Sequence, residues 1–139
     1  MPFTTRERFA TLGTMLKKFL PLLLTPLLLA GCTATFTNLT PLQQTRNTNN
    51  LYSVEVALTT RQQTLRWNSI RPQIMVGSEF YPMRPTPLMT NRWEGLIPVP
   101  GTTESVNYRY KFDYDANAFG KPQPGSALSP EYTLRINNP

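Results

Sequence analysis

The chain has 139 residues, with 14 Lys and Arg against 8 Asp and Glu, 14 prolines, one cysteine and no histidine. That length holds one hydrophobic core rather than two, and one cysteine closes no disulfide within the chain. Without histidine there is no Ser-His-Asp triad, Cys-His pair or histidine-based metal site. A net charge of +6 and a pI near 9.8 raise the question of nucleic acid, which turns on where the charge lies.

Residues 15–32 read MLKKFLPLLLTPLLLAGC. Lys17 and Lys18 form a positive start, followed by an apolar run over residues 19–29. That run of about 11 residues is shorter than the roughly 20 that span a bilayer as a helix. Pro21 and Pro26 also oppose a continuous helix. Size and order are those of a secretory signal. The closing Leu29-Ala30-Gly31-Cys32 resembles the lipobox of bacterial lipoproteins. The resemblance implies a diacylglyceryl group on the Cys32 sulfur, cleavage between Gly31 and Cys32, and acylation of the new amino terminus. An ordinary signal peptide, or a buried hydrophobic segment with a chance cysteine, is the alternative. Residues 1–31 are therefore expected to be the signal, with Met15 as a second candidate start. Thr33 follows the cysteine where, in enterobacteria, an Asp favours inner-membrane retention. The expected place is thus the outer membrane, lipid-anchored and facing the periplasm.

Half of the +6 charge falls within the signal, and the remaining basic residues are scattered singly from Arg46 to Arg135. Nucleic-acid binding calls for a stripe or cluster of positive charge, so no nucleic-acid partner is expected. Residues 32–50 are rich in Thr, Asn and Gln and read as a polar tether, with an r.m.s. reach of about 20–25 Å. Within it Asn38-Leu39-Thr40 matches a glycosylation sequon, a match without meaning on a bacterial lipoprotein.

From Leu51 onward the hydrophobic period is two. Tyr52, Val54, Val56 and Leu58 share one face of a strand over residues 51–58. Further strands are expected over 64–70, 73–81 and 93–99, the last ending at an edge because of Pro98. Residues 106–114 give the clearest alternation, with Val106, Tyr108, Tyr110, Phe112 and Tyr114 on one face. Tyr132, Leu134 and Ile136 close the chain in the same phase. Six short strands separated by Pro and Gly turns predict an all-β, immunoglobulin-like antiparallel β-sandwich over residues 51–139.

The order from Ile74 onward is similar to the early-set immunoglobulin-like modules that bind glycogen and starch. The matching residues are Val76-Gly77, Trp93-Glu94-Gly95-Leu96-Ile97-Pro98-Val99-Pro100 and Tyr108-Arg109-Tyr110-Lys111-Phe112-Asp113. The resemblance implies a glycan-binding surface. The chain departs from the modules there, offering Phe80, Tyr81 and Phe119 where they carry tryptophans, while Trp93 matches a packing position.

Asp113, Asp115 and Asn117 imitate the start of a calcium loop. The required glycine is Ala118 and the twelfth position is Pro124, so no metal site is expected. Residues 80–89 (FYPMRPTPLM) combine three prolines with Met83, Leu88 and Met89, and are expected to be a stiff, partly apolar loop, either a partner surface or a rigid crossover packed over the end of the sandwich. With Tyr81, Arg84 and Trp93 of the types common at binding hot spots, Phe80, Tyr81, Arg84, Trp93 and Phe119 form the candidate partner or glycan surface. With no histidine, and Cys32 given to lipid, no enzyme activity and no catalytic residue are expected. The sequence reads as a non-catalytic, membrane-anchored subunit of an envelope assembly with a protein partner. The alternative is a periplasmic glycan-binding module.

Overall fold

A computed structural model describes residues 34–139, which form one unit. The expected signal, its cleavage site at Gly31 and the lipidation site Cys32 lie outside the described residues. Among the described residues no helix is long and apolar enough to cross a membrane.

Ten strands make two sheets. The first carries β1 (Ala34–Asn38), β3 (Leu51–Thr60), β7 (Arg92–Pro98) and β6 (Arg84–Pro85), in the order β1-β3-β7-β6. The second runs β2-β10-β8-β4-β5, with β2 (Gln43–Thr45), β10 (Tyr132–Asn137), β8 (Ser105–Asn117), β4 (Arg71–Val76) and β5 (Glu79–Pro82). A further strand, β9 (Pro122–Leu128), pairs with β8 beyond the end of β10. This is the expected all-β, immunoglobulin-like sandwich.

The two strongest alternations form its core. Tyr52, Val54, Val56 and Leu58 of β3 face Tyr108, Tyr110 and Phe112 of β8, with Ile74, Ile97, Leu134 and Ile136 filling the layer between them. Burying side chains of this size contributes about 1.5–3 kcal/mol each, enough to fix the register, since a one-residue slip would turn every one outward.

Residues 34–50 are no tether. β1 pairs antiparallel with β3, and β2 pairs parallel with β10, so the chain changes sheets between Asn38 and Gln43. The polar residues that suggested a tether hold this crossover. The buried Tyr110 hydroxyl donates to Asn38 Oδ1 at 2.7 Å, and the Asn38 amide donates to the Tyr108 hydroxyl at 2.9 Å. The buried Thr40 Oγ1 accepts the Glu55 N–H at 2.9 Å and shares a hydrogen bond of 3.1 Å with the Tyr110 hydroxyl. Burial raises the Tyr110 pKa well above its ordinary value, because a phenolate there would lack water.

Residues 64–70 are not a strand either. Trp67–Ser69 form a 3₁₀ turn in which Ser69 Oγ donates to Arg66 O at 2.6 Å and accepts the Asp115 N–H at 2.8 Å. Ser and Asn side chains offer the backbone such local partners in place of a ladder. The expected strand over 73–81 is a hairpin, β4 to β5, turning at Gly77-Ser78. Gly77 has φ +60 and occupies the first central position of a type II′ turn, where a side chain would be strained.

From β5 the chain crosses back to the first sheet at Met83, packing directly over Gly95 of β7. A Cβ on Gly95 would lie 2.7 Å from Ile74 Cδ1 and 3.2 Å from the Pro82 carbonyl oxygen. The missing side chain is the space in which the two sheets are joined. β9 and β10 follow one edge of β8, interrupted at Ser129–Glu131. There the Ser129 hydroxyl replaces a ladder carbonyl by accepting the Tyr110 N–H at 2.8 Å.

Candidate functional site

The five residues expected on one surface lie in four places. Phe80 is on the outer face of β5, about half exposed, with the Lys111 ammonium 5.6 Å from its ring centre. Tyr81 follows it on the strand and points the opposite way, partly buried against the core. Phe119 stands fully exposed at the tip of the β8–β9 hairpin. These aromatics make no common stacking platform for a sugar.

Trp93 is a correction: it is 5% exposed and belongs to the core. Its ring lies parallel to that of Trp67 at 6.3 Å and edge-on to Phe112 at 5.0 Å. Its alternation with Ile97 and Val99 carried the signal, since the three share one face.

The expected loop over 80–89 resolves into β5, the buried Met83, the short β6 and a turn. Tyr81 and Arg84 do come together, in an open cleft of about 510 Å³ that Pro82, Met83, Glu94 and Leu96 also line. Arg84 Nε lies 3.0 Å from Glu94 Oε1 across its floor, and Leu96 is exposed beside the pair. An exposed ion pair of this kind contributes about 0–1 kcal/mol, so it orients the arginine more than it stabilises the strand.

The carboxylates of β8 are tied to neighbouring cations. Asp113 accepts from Lys111 Nζ at 3.2 Å and Asp115 lies 3.8 Å from Arg71. A hydrogen bond from Ser126, followed by Lys111 and Arg71, holds Asp113 below the ordinary carboxylate value. Among the described residues no three Asp, Glu, Cys or His side chains converge on a common point.

A feature the sequence reading missed is the treatment of the sheet edges. The Ser129 N–H donates to Tyr110 O, and this sets the phase of β9. The nitrogens of Pro122 and Pro124 therefore face away from β8, where a donor would otherwise be open to solvent. The Met83 N–H bonds Pro72 O and the Thr86 N–H bonds Arg92 O, which turns the nitrogens of Pro82 and Pro85 outward in β5 and β6. Proline at such positions blocks pairing with another chain. β1 differs. Its phase, set by the Leu39 N–H to Glu55 O at 2.9 Å, turns the backbone groups of Ala34, Phe36 and Asn38 outward. None of its five residues is charged or proline. Phe36 supports the strand from within, edge-on to Phe112 at 5.1 Å. Among the described residues β1, like the three-residue β2 (QQT), carries neither charge nor proline, while the other three open edges carry proline.

No family model and no curated protein sequence matches the chain. Among solved structures it is similar to AggA, the major subunit of aggregative adherence fimbriae type I from Escherichia coli. The identity is 9%, the match covers 78% of this chain and 95% of that chain, and the TM-score is 0.38. A likeness at this level assigns no function to the chain.

Proposed function

We propose that the protein is a non-catalytic bacterial lipoprotein, anchored through acyl groups on Cys32, that serves as a binding or structural subunit of an envelope assembly. Its partner adds a strand to β1, and its place is the outer membrane, facing the periplasm. The observation that carries the partner reading is the contrast between the open, uncharged β1 and the proline-blocked edges of β5, β6 and β9. An exposed edge of this kind is a ready template for strand addition, with main-chain hydrogen bonds supplying affinity. The anchor rests on the positive start, apolar run and Leu29-Ala30-Gly31-Cys32 of the sequence. Two or three acyl chains, at about 0.8 kcal/mol per buried methylene, give an anchor of tens of kcal/mol.

Two measurements test the two halves. Cys32→Ser is expected to abolish acyl labelling and leave an unprocessed precursor on a gel; normal processing of that variant would rule out the anchor. Photo-crosslinkers at Thr35 and Thr37, on the outer face of β1, are expected to trap one dominant protein in native membranes. Ala34→Pro, which removes an outward N–H at the first residue of the strand, should cut that capture about tenfold, the equivalent of roughly 1.4 kcal/mol. Equal capture by Ala34→Pro, with the fold intact by circular dichroism, would move the partner off this edge.

A further inference from the structure

The registers place several separate loops at one pole of the sandwich. Ala34, the first residue of β1, pairs with Thr60 at the end of β3, and β7 begins beside Ala57. Leu65 bridges to Ala116 near the end of β8, and Trp67 stacks on Trp93, drawing the 61–70 segment to the same pole. The β6–β7 turn and the β8–β9 hairpin tip therefore share the pole at which β1 starts.

The two most exposed of the large hydrophobic side chains stand at this pole, while Leu42, Leu51, Phe80, Leu96 and Leu128 lie elsewhere. Leu88 and Phe119 have no shelter from solvent, and Trp67 and Met89 are about two-fifths exposed. Leu88 is unusual in its backbone as well. The Met89 N–H bonds Thr86 O at 3.2 Å, closing a turn with Pro87 and Leu88 at its centre. Leu88 sits there at φ +65, a position that favours Gly or Asn. A bulky side chain is thus held in a disfavoured conformation, and its side chain is left wholly to solvent.

The charges sort in the same way. Arg71, Arg84, Arg109 and Lys111 are engaged in ion pairs. Of the six basic residues that form none among the described residues, Arg61, Arg66, Arg92 and Lys121 lie on or beside the loops of the β1 pole, and Arg46 and Arg135 lie at the opposite end, beside Thr103 and Ser105. Glu79 and Glu104, at the β4–β5 turn and before β8, lie at the opposite pole. Exposed apolar tips interleaved with unpaired basic residues are the chemistry of a surface that enters the headgroup region of an anionic bilayer.

We propose that the β1 pole is a membrane-contact surface that inserts Leu88 and Phe119 among lipids and holds anionic headgroups with Arg61, Arg66, Arg92 and Lys121. The inference builds on the anchoring at Cys32, which precedes Ala34 by two residues and so keeps the lipid within about 7 Å of chain from the start of β1. The domain would then stand on its β1 pole, with the Glu79 and Glu104 end turned away from the bilayer. A membrane is favoured over a protein partner here because the apolar tips come from separate loops, with basic residues between them, instead of forming one continuous patch.

The test uses the mature protein purified from membranes and reconstituted in vesicles of phosphatidylethanolamine and phosphatidylglycerol. The variants L88C, F119C and E104C each carry one nitroxide label; the first two replace fully exposed side chains and leave the fold unchanged. Flotation and the mass of the Cys32 peptide report the anchor independently. Labels at 88 and 119 are expected to be reached by oxygen and shielded from a water-soluble nickel complex, with the label at 104 behaving in the opposite way. Replacing Arg61 and Arg66 by Glu should shift the 88 and 119 labels back toward water. If the acylated chain floats and both labels remain in water, the anchor stands and the contact surface is overturned. A chain without acyl groups that still binds vesicles with both labels in lipid supports the surface and removes the anchor. A chain that neither carries acyl groups nor floats overturns both. Capture of position 88 by one protein in native membranes, with its label in water, overturns the lipid assignment in favour of a protein.

Discussion

Trp93→Ala is expected to destabilise the domain by about 3–5 kcal/mol, the usual cost of emptying the site of a large buried aromatic. A ring on the surface would cost a small fraction of this. Trp93 is 5% exposed, between the parallel ring of Trp67 and the edge of Phe112, so its removal opens a void where the two sheets meet the 61–70 segment. The neighbours relax unequally. Phe112 is fixed by its ladder partners in β4 and β9, whereas Trp67 sits on a short 3₁₀ turn with no ladder of its own. The void should therefore be met mainly by loosening of residues 61–70, and the intact indole of Trp67 should show a red-shifted emission. At roughly 4–8 °C per kcal/mol for a domain near this size, the melting temperature should fall by about 12–40 °C. Thermal melts followed by circular dichroism and fluorescence decide it. A loss below about 1 kcal/mol would return Trp93 to the surface.

The same residue shows how far the sequence could be read. Where a strand is buried on one face over several residues, as in residues 51–58 and 106–114, the alternation is unambiguous and the structure follows it. Trp93 shares its phase with Ile97 and Val99, so its burial was legible too; its residue type drew it to the surface list. Edge strands escape this kind of reading because they bury little. β1 has one large apolar residue, Phe36, and β9 has none that is buried. Their pairing comes from free ladder groups on β3 and β8, a property of the neighbour and not of the segment. The tether was misread for a related reason. Asn38 and Thr40 are polar because they hold the crossover between sheets, and composition alone does not separate a hydrogen-bonded polar residue from a solvated one. Residues 80–89 do cross between the sheets, at Met83, but their prolines hid the two short strands, since Pro82 and Pro85 close strand edges. Tyr81 and Arg84 meet in the cleft because two short strands cross between sheets at Met83, a pairing that depends on the missing side chain of Gly95.

Tyr110→Phe should have the second large effect and a distinctive dependence on pH. The Tyr110 side chain is wholly buried, and its hydroxyl meets Asn38 Oδ1 at 2.7 Å, Thr40 Oγ1 at 3.1 Å and Glu55 O at 3.1 Å. Phenylalanine keeps the ring and removes one hydrogen bond from each of these partners, so the loss at neutral pH is expected near about 2 kcal/mol, the scale of a few buried hydrogen bonds. The damage should be local. The partners all hold the β1–β2 crossover, so amide exchange at Asn38, Leu39 and Thr40 should speed up more than in β8. The alkaline limb follows from the raised Tyr110 pKa. Burial favours the neutral phenol in the folded state, while in the unfolded chain the group ionises near pH 10. The stabilisation is therefore complete below about pH 10, and it is lost progressively as pH rises above that toward the folded-state value. Tyr132, also raised by burial and then by the nearby Tyr108, adds a smaller contribution of the same sign. Wild type should thus lose stability steeply above about pH 10, and Tyr110→Phe, though less stable at pH 7, should fall along a shallower slope. Urea titrations at pH 7, 9.5 and 11 measure both. Parallel slopes would mean that the phenol ionises as readily in the folded protein as in the unfolded chain, and that the alkaline loss has another source. Convergence of the two curves at high pH would instead locate the hold on the β1–β2 crossover in this one proton.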